Sequence, residues 1–202
     1  SNEFVYDDFG SIVENKYIRQ PGQFLSSLFN QSYFKTAGLE ASYRPVATLS
    51  YFFIYAFAEL NPFYYHLASL LLHTLNAVLV FWMANLILKN RLGALIAGML
   101  FASHPALSEA VNCIDFNDDP LAALFFLLSL IFYIRLKAET VSSNIRGYSL
   151  ALIFYFLGLL SKEMAITLPA IIFLYDVVLR DGERNRLTIQ HVLNTLQKRT
   201  HF

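Results

Sequence analysis

The sequence predicts an all-α membrane protein, a polytopic bundle of about five transmembrane helices with additional interfacial helices. Hydrophobic residues make up 56% of the 202-residue chain, and charged residues make up only 15%, well below the share that is usual in soluble domains. The formal net charge is zero, so the composition does not indicate a nucleic-acid partner. Because Cys113 is the only cysteine, an internal disulfide and a cysteine metal cluster are both excluded.

Five apolar stretches predict the membrane-crossing helices. The stretch 64–88 is the clearest, because a helix needs about 20 apolar residues to cross a bilayer. The other predicted spans are 92–103, 119–136, 148–161 and 164–179. Because proline removes a backbone donor and clashes with the preceding turn, we expect Pro169 to kink the last span.

Two shorter segments are expected to lie on the membrane surface instead of crossing it. The first, 43–59, is apolar but short, and it is flanked by Arg44 and Glu59. These features favour an interfacial helix over a tilted span. The second, 105–115, places its apolar residues on one face at helical spacing, as expected for a helix that lies on a membrane.

The lysine and arginine distribution predicts the orientation of the chain. Three short loops on one side are rich in these residues, and the positive-inside rule makes that side cytoplasmic. The sequence therefore predicts an external region, periplasmic or lumenal, over 1–63, a transmembrane bundle over 64–180 and a cytoplasmic tail over 181–202. An external N-terminal region also implies a preceding transmembrane helix, supplied by a longer polypeptide or by a partner subunit.

An acidic pair, Asp7 and Asp8, lies on the predicted external side. A carboxylate within hydrogen-bonding reach of a hydroxyl can take its proton. A second carboxylate can raise the pKa of the first or hold a metal ion. The alternative is that Asp8 caps a short helix that begins near Phe9.

A second external loop begins with His104 and Glu109 and continues with four oxygen-bearing side chains, Asp115, Asn117, Asp118 and Asp119. Hard cations prefer such oxygen-rich clusters, which makes a divalent cation the one cofactor candidate. The alternative is a solvated acidic loop in which proline starts a helix.

Lys162 and Glu163 interrupt an apolar run at the predicted external membrane face. A lysine in this position suits the phosphate of a lipid-linked substrate. The alternative is a lysine that extends its ammonium group to water along apolar surface.

Polar residues also follow one face of the predicted span 64–88 at spacings of three and four, namely His66, Ser69, His73 and Asn76. Such residues usually face the bundle and form interhelical hydrogen bonds. His66 lies nearest the external surface and is therefore the member best placed to bind a substrate.

Five segments, in this order, resemble the membrane half of the transmembrane and tetratricopeptide-repeat O-mannosyltransferases, which are GT-C-type glycosyltransferases. The segments are FVYDDFGSIVEN, YRPVATLSYFF, NPFYYHLASLLLHTLNAVLVF, FASHPALSEAV and LLSKEMAITLPA. The resemblance implies an inverting transfer of a sugar, typically mannose, from a polyprenyl-phosphate donor to a protein hydroxyl. It implies that Asp7 is the base and that Asp8 is its partner or a metal ligand.

The resemblance also implies substrate-binding roles for residues in the other motifs, namely Arg44, His104, Glu109, Lys162 and Glu163. The expected partners are the lipid-linked donor, a protein acceptor and membrane lipids. The chain departs from the family where Asn117 stands, because the family often has an arginine there, and this change is expected to weaken phosphate or acceptor binding.

Two other functions remain open on the sequence alone. The chain resembles only part of a GT-C core, which would suit a catalytically inactive structural or assembly subunit of a larger membrane complex. A small transporter that uses the polar face of 64–88 is disfavoured, because the predicted spans carry few acids and show no inverted repeat.

Overall fold

The computed structural model describes residues 3–4, 8–20, 22, 24–29, 43–136 and 144–180. These residues are mostly helical, and no β-strand occurs among them, which confirms the all-α prediction. The α-helices are α1 (Phe24–Leu28), α2 (Pro45–Ala58), α3 (Pro62–Leu88), α4 (Arg91–Ser103), α5 (Ser108–Asn112), α6 (Asp118–Arg135), α7 (Ile145–Ser161) and α8 (Leu168–Tyr175). The chain forms two compact units, Ser1–Ala165 and Ile166–Phe202.

Helix α3 is the one described helix that is long and apolar enough to cross a membrane by itself. Helix α4 passes the same test only together with the following Pro105–Asn112, across a bend of 50°. Helices α2 and α7 are apolar but shorter. The predicted span at 64–88 is thus confirmed as a helix of membrane-crossing length, whereas the total of about five spans stays a prediction.

Local capping explains where α3 begins and where the chain reverses into α4. The Asn61 side chain accepts a hydrogen bond from the N–H of Phe63, and Pro62 occupies the first position of the helix, where its missing donor costs nothing. Lys89 ends α3 in the left-handed conformation, with φ of 52°. Asn90 then caps α4 by accepting two backbone N–H bonds.

The polar face of α3 bonds to its neighbours, as the interhelical interpretation predicts. The Asn76 amide donates to the carbonyl of Pro120 in α6 over 2.8 Å, and a His73 ring nitrogen lies 3.1 Å from the carbonyl oxygen of Ala102 in α4. Ser69 differs, because its hydroxyl donates to Tyr65 within the same helix. The polar face of α3 therefore links α3 to α4 and to α6, which fixes the start of α6 relative to α3.

A small core joins the N-terminal segment to α2, to the start of α3 and to the 3₁₀ turn Ile114–Asn117. Its buried members are Ile12, Ile18, Tyr51, Phe52, Tyr65 and Ile114. The Tyr51 hydroxyl in α2 also donates to the carbonyl of Asp115 over 2.8 Å. This core places residues 8–20 against the segment between α4 and α6, as a site built from both segments requires.

Two local predictions need correction. The segment 105–115 is not one helix, because it divides into the 3₁₀ turn Pro105–Leu107, α5 and a second 3₁₀ turn, Ile114–Asn117. Pro169 does not kink the last predicted span, since it lies in the first turn of α8. A proline in that position loses no intrahelical hydrogen bond, and so it begins the helix instead of bending it.

Candidate functional site

Charged side chains from three distant parts of the sequence meet at one end of the first unit. Arg44 precedes α2, Asp118 and Asp119 begin α6, and Lys162 and Glu163 follow α7. We call these five residues the ion-pair cluster. Three of them, Arg44, Lys162 and Glu163, are sequence-predicted substrate-binding residues, and the structure joins them through the carboxylates at the start of α6.

Asp118 is the centre of the ion-pair cluster. Its Oδ2 accepts a hydrogen bond from Arg44 Nη1 over 2.5 Å and lies 3.5 Å from Lys162 Nζ. Only 4% of its side chain is exposed. Burial raises the pKa of Asp118, and the positive charges of Lys162 and Arg44 act in the opposite direction. One buried carboxylate therefore sets the positions of both cations.

Lys162 is held by a second carboxylate. Its ammonium lies 2.8 Å from Asp119 Oδ1. Burial by itself would lower the pKa of Lys162, but the hydrogen bond to Asp119 and the charge of Asp118 outweigh burial, and the pKa is raised. Lys162 is therefore charged at neutral pH, and its ion pairs stabilise the fold until the pH rises through this raised pKa.

Glu163 completes the ion-pair cluster on its exposed side. Its carboxylate accepts from Arg44 Nη2 over 3.0 Å and from Arg44 Nε over 3.4 Å, while 70% of its side chain is exposed. A hydrogen bond from its own backbone N–H, together with the one from Arg44, lowers the pKa of Glu163. Its contribution to stability is present above the carboxyl group's unfolded-state pKa and is lost as the pH falls through the lowered one.

The ion-pair cluster combines two cations with three carboxylates, so one negative charge is in excess. Among the residues that the structure describes, no group of three histidine, cysteine or acidic side chains is arranged to hold a metal ion. Arg44 and Lys162 are nevertheless held in fixed positions by these carboxylates, and guanidinium and ammonium groups are the side chains that bind anionic groups such as phosphates.

Asp8 connects the N-terminal segment to the segment between α4 and α6. It is 1% exposed, and its Oδ1 accepts the backbone N–H of Asp115 over 2.8 Å. Asp8 makes no side-chain capping bond to the π-helical turn Phe9–Val13, so the capping alternative is wrong. Asp7, the predicted base, lies outside the described residues.

We expect Asp8→Ala to destabilise the fold by roughly 1–3 kcal/mol, because it leaves a partly buried N–H without its acceptor. Asp8→Asn keeps an oxygen in place and should cost much less. Thermal unfolding of both variants in mild detergent measures the difference. Equal losses would mean that the negative charge, and not the hydrogen bond, is what holds the two loops together.

The remaining candidates belong to other elements of the chain. The His104 ring accepts the N–H of Ala106 and so caps the 3₁₀ turn that follows α4. Glu109 lies within α5. His66 lines an apolar groove of about 630 Å³ with Glu3 and the first residues of α3, and its buried Nε2 has no hydrogen-bond partner there.

The central role of Asp118 is missing from the sequence prediction, where it is only one oxygen-bearing residue in an acidic loop. Asn117 is also buried, at 1% exposure, and its amide donates to the Ser50 hydroxyl over 3.2 Å. Asn117 therefore packs against α2. The signal that could have indicated this role is charge balance. Arg44 and Lys162 lie beside apolar segments, so each of them needs a carboxylate partner.

Comparison with known proteins identifies relatives along the whole chain. The chain is 35% identical to protein O-mannosyl-transferase TMTC2 from Homo sapiens, in an alignment that covers 100% of this chain and 24% of that protein. It is 32% identical to TMTC3 from Homo sapiens, covering 89% of this chain and 20% of the relative. The chain belongs to the transmembrane and tetratricopeptide-repeat O-mannosyltransferase family. This finding confirms the resemblance seen in the sequence motifs.

The chain spans about a quarter or less of the length of these O-mannosyltransferase relatives. A third relative, TMTC1 from Homo sapiens, is 32% identical and covers 87% of this chain and 21% of its own length. No family model matches the chain, and no solved structure matches it. The O-mannosyltransferase assignment therefore depends on sequence relatives alone.

Proposed function

We propose that this chain forms part of a membrane O-mannosyltransferase that transfers mannose from a polyprenyl-phosphate donor to a protein hydroxyl on the external face. The proposal is supported above all by the ion-pair cluster, in which Arg44 and Lys162 meet although 118 positions separate them in the sequence. The names of the relatives, protein O-mannosyl-transferases, support the reaction class. Apolar helix α3 supports a membrane location.

The roles follow from chemistry and position. Asp7 takes the proton of the acceptor hydroxyl as it attacks the sugar. Asp8 positions Asp7, because its hydrogen bond to Asp115 links the N-terminal segment to the second external loop. Arg44 and Lys162 balance the charge of the donor phosphate, and Glu163 shares that site.

The groove beside His66 is the proposed place for the apolar part of the donor. Its walls include Pro62, Phe63, Leu67 and Leu70, which suit an isoprenoid chain. The unpartnered His66 Nε2 can bind one polar group of the substrate. His104 and Glu109 are proposed to contact the acceptor from the second external loop.

A transfer assay tests the proposal. The full-length protein in proteoliposomes, supplied with polyprenyl-phosphate mannose and an acceptor polypeptide, should form a mannosylated product. We expect Arg44→Met to lower donor affinity on the order of 10- to 100-fold, because a charged hydrogen-bonding partner is lost. Arg19→Met serves as the control, since Arg19 is an exposed arginine in the first loop that bonds to Val13. Equal effects of the two substitutions would remove Arg44 from the site.

A second candidate, a catalytically inactive structural subunit, is favoured by the contacts that the candidate site residues already make within the chain. Asp8 is buried and bonded to backbone, and both cations already have carboxylate partners. This candidate predicts that Arg44→Met disturbs assembly with partner subunits and that wild-type protein transfers no mannose. Native mass measurement alongside the transfer assay separates the two functions.

A further inference from the structure

The two cations of the ion-pair cluster are held in different ways. Lys162 lies between Asp118 and Asp119, at 3.5 and 2.8 Å from their oxygens. The Nη1 group of Arg44 is bound to the buried Asp118, but its Nη2 and Nε face Glu163. Arg44 therefore presents one edge to a fixed carboxylate and the other to an exposed one.

The exposed edge has the geometry that a phosphate group uses. Both Glu163 oxygens approach Nη2, at 3.0 and 3.3 Å, and Oε2 also lies 3.4 Å from Nε. Guanidinium groups bind carboxylates and phosphates through the same paired N–H donors. Because 70% of the Glu163 side chain is exposed, this contact costs little to exchange.

We infer that the Nε and Nη2 edge of Arg44 is the anion-binding subsite, with Glu163 as the counter-ion that a phosphate ester displaces. Lys162 is then a positioning residue. To bind a phosphate it would have to leave both Asp118 and Asp119, and the first of these carboxylates is buried. The inference rests on the proposed function and deepens it. It assigns the phosphate to Arg44, whereas charge alone would allow either Arg44 or Lys162 to bind it.

Glu163→Gln tests this assignment, because it removes the competing charge. Binding of polyprenyl-phosphate mannose to the full-length protein in phosphatidylcholine nanodiscs should strengthen about two- to fivefold, as expected when an exposed ion pair no longer competes. Asp119→Asn is the matched control. It removes the same charge from the Lys162 side, where 45% of the acid side chain is exposed, and it should strengthen donor binding less than Glu163→Gln does.

Further arms separate the alternatives. Arg44→Lys keeps the positive charge but loses the paired Nε and Nη2 donors. When combined with Glu163→Gln, it should abolish the increase in donor affinity that Glu163→Gln alone produces. Inorganic phosphate, added to the same nanodiscs without donor, should show the same order of variants if the subsite recognises the phosphate group itself. An order seen only with the donor would assign the subsite to the lipid-linked phosphate.

The inference is overturned if Asp119→Asn raises affinity as much as Glu163→Gln, since the effect is then general electrostatics. It is equally overturned if Glu163→Gln changes nothing while the donor still binds and mannose is still transferred. If Glu163→Gln strengthens binding but no variant transfers mannose, the subsite stands and the proposed function fails. Thermal unfolding of each variant shows whether the fold is retained.

Discussion

Asp118→Asn is expected to destabilise the protein by about 3 kcal/mol, near the lower end of the range for breaking buried ion pairs. The substitution removes the carboxylate that lies between Arg44 and Lys162, each of which has a side chain only 18% exposed. The loss is limited because each cation keeps a second partner, Glu163 or Asp119. For a cooperative unit of about 200 residues, such a loss corresponds to a fall in apparent melting temperature of about 6 to 12 °C in mild detergent.

Asp119→Asn is the matched control for this stability experiment. It makes the same chemical change at the next residue, but the Asp119 side chain is 45% exposed. Exposed ion pairs contribute less than about 1 kcal/mol, so its melting temperature should stay close to that of the wild type. If both variants lose the same stability, burial of Asp118 is not what gives it the central role.

Asp7→Asn is expected to lower mannosyl transfer by roughly 10²- to 10⁴-fold, which is the usual contribution of a positioned general base. The asparagine side chain has nearly the same size but cannot take a proton from the acceptor hydroxyl. Donor affinity should change little, because the proposed phosphate subsite lies at Arg44 and not at Asp7. The measurement is kcat and KM for transfer by the full-length protein in proteoliposomes.

Glu14→Gln controls for loss of charge in the same loop. Glu14 is an exposed acid seven positions after Asp7, and it follows the π-helical turn Phe9–Val13. Its substitution should leave transfer and melting temperature unchanged. A fall in kcat with both variants would point to the overall charge of the loop, and unchanged transfer by Asp7→Asn would show that another group is the base.

Helix positions follow from local patterns, and here sequence and structure agree. The apolar run at 64–88 corresponds to α3, and the turn at 89–91 corresponds to the left-handed Lys89 followed by the Asn90 cap. Predictions were weaker where two local signals competed. Pro169 was expected to kink a helix, but it begins α8 because proline is tolerated in the first turn.

The candidate site was predicted only in part. Arg44, Lys162 and Glu163 were each identified from motifs, and the structure brings them together. Asp118 was not singled out, because nothing in its flanking residues distinguishes it from Asp119. The difference between them arises from burial, with 4% of one side chain exposed and 45% of the other.

Helix boundaries, membrane-length apolar runs and family membership are encoded in neighbouring residues and in the order of short motifs, so they can be inferred from the chain alone. Which charges pair depends on how the helices pack. Arg44 bonds to Asp118 across 74 positions, and Asp8 bonds to Asp115 across 107. Such contacts depend on how the apolar faces pack, since burial distinguishes the enclosed carboxylate of Asp118 from the more exposed one of Asp119.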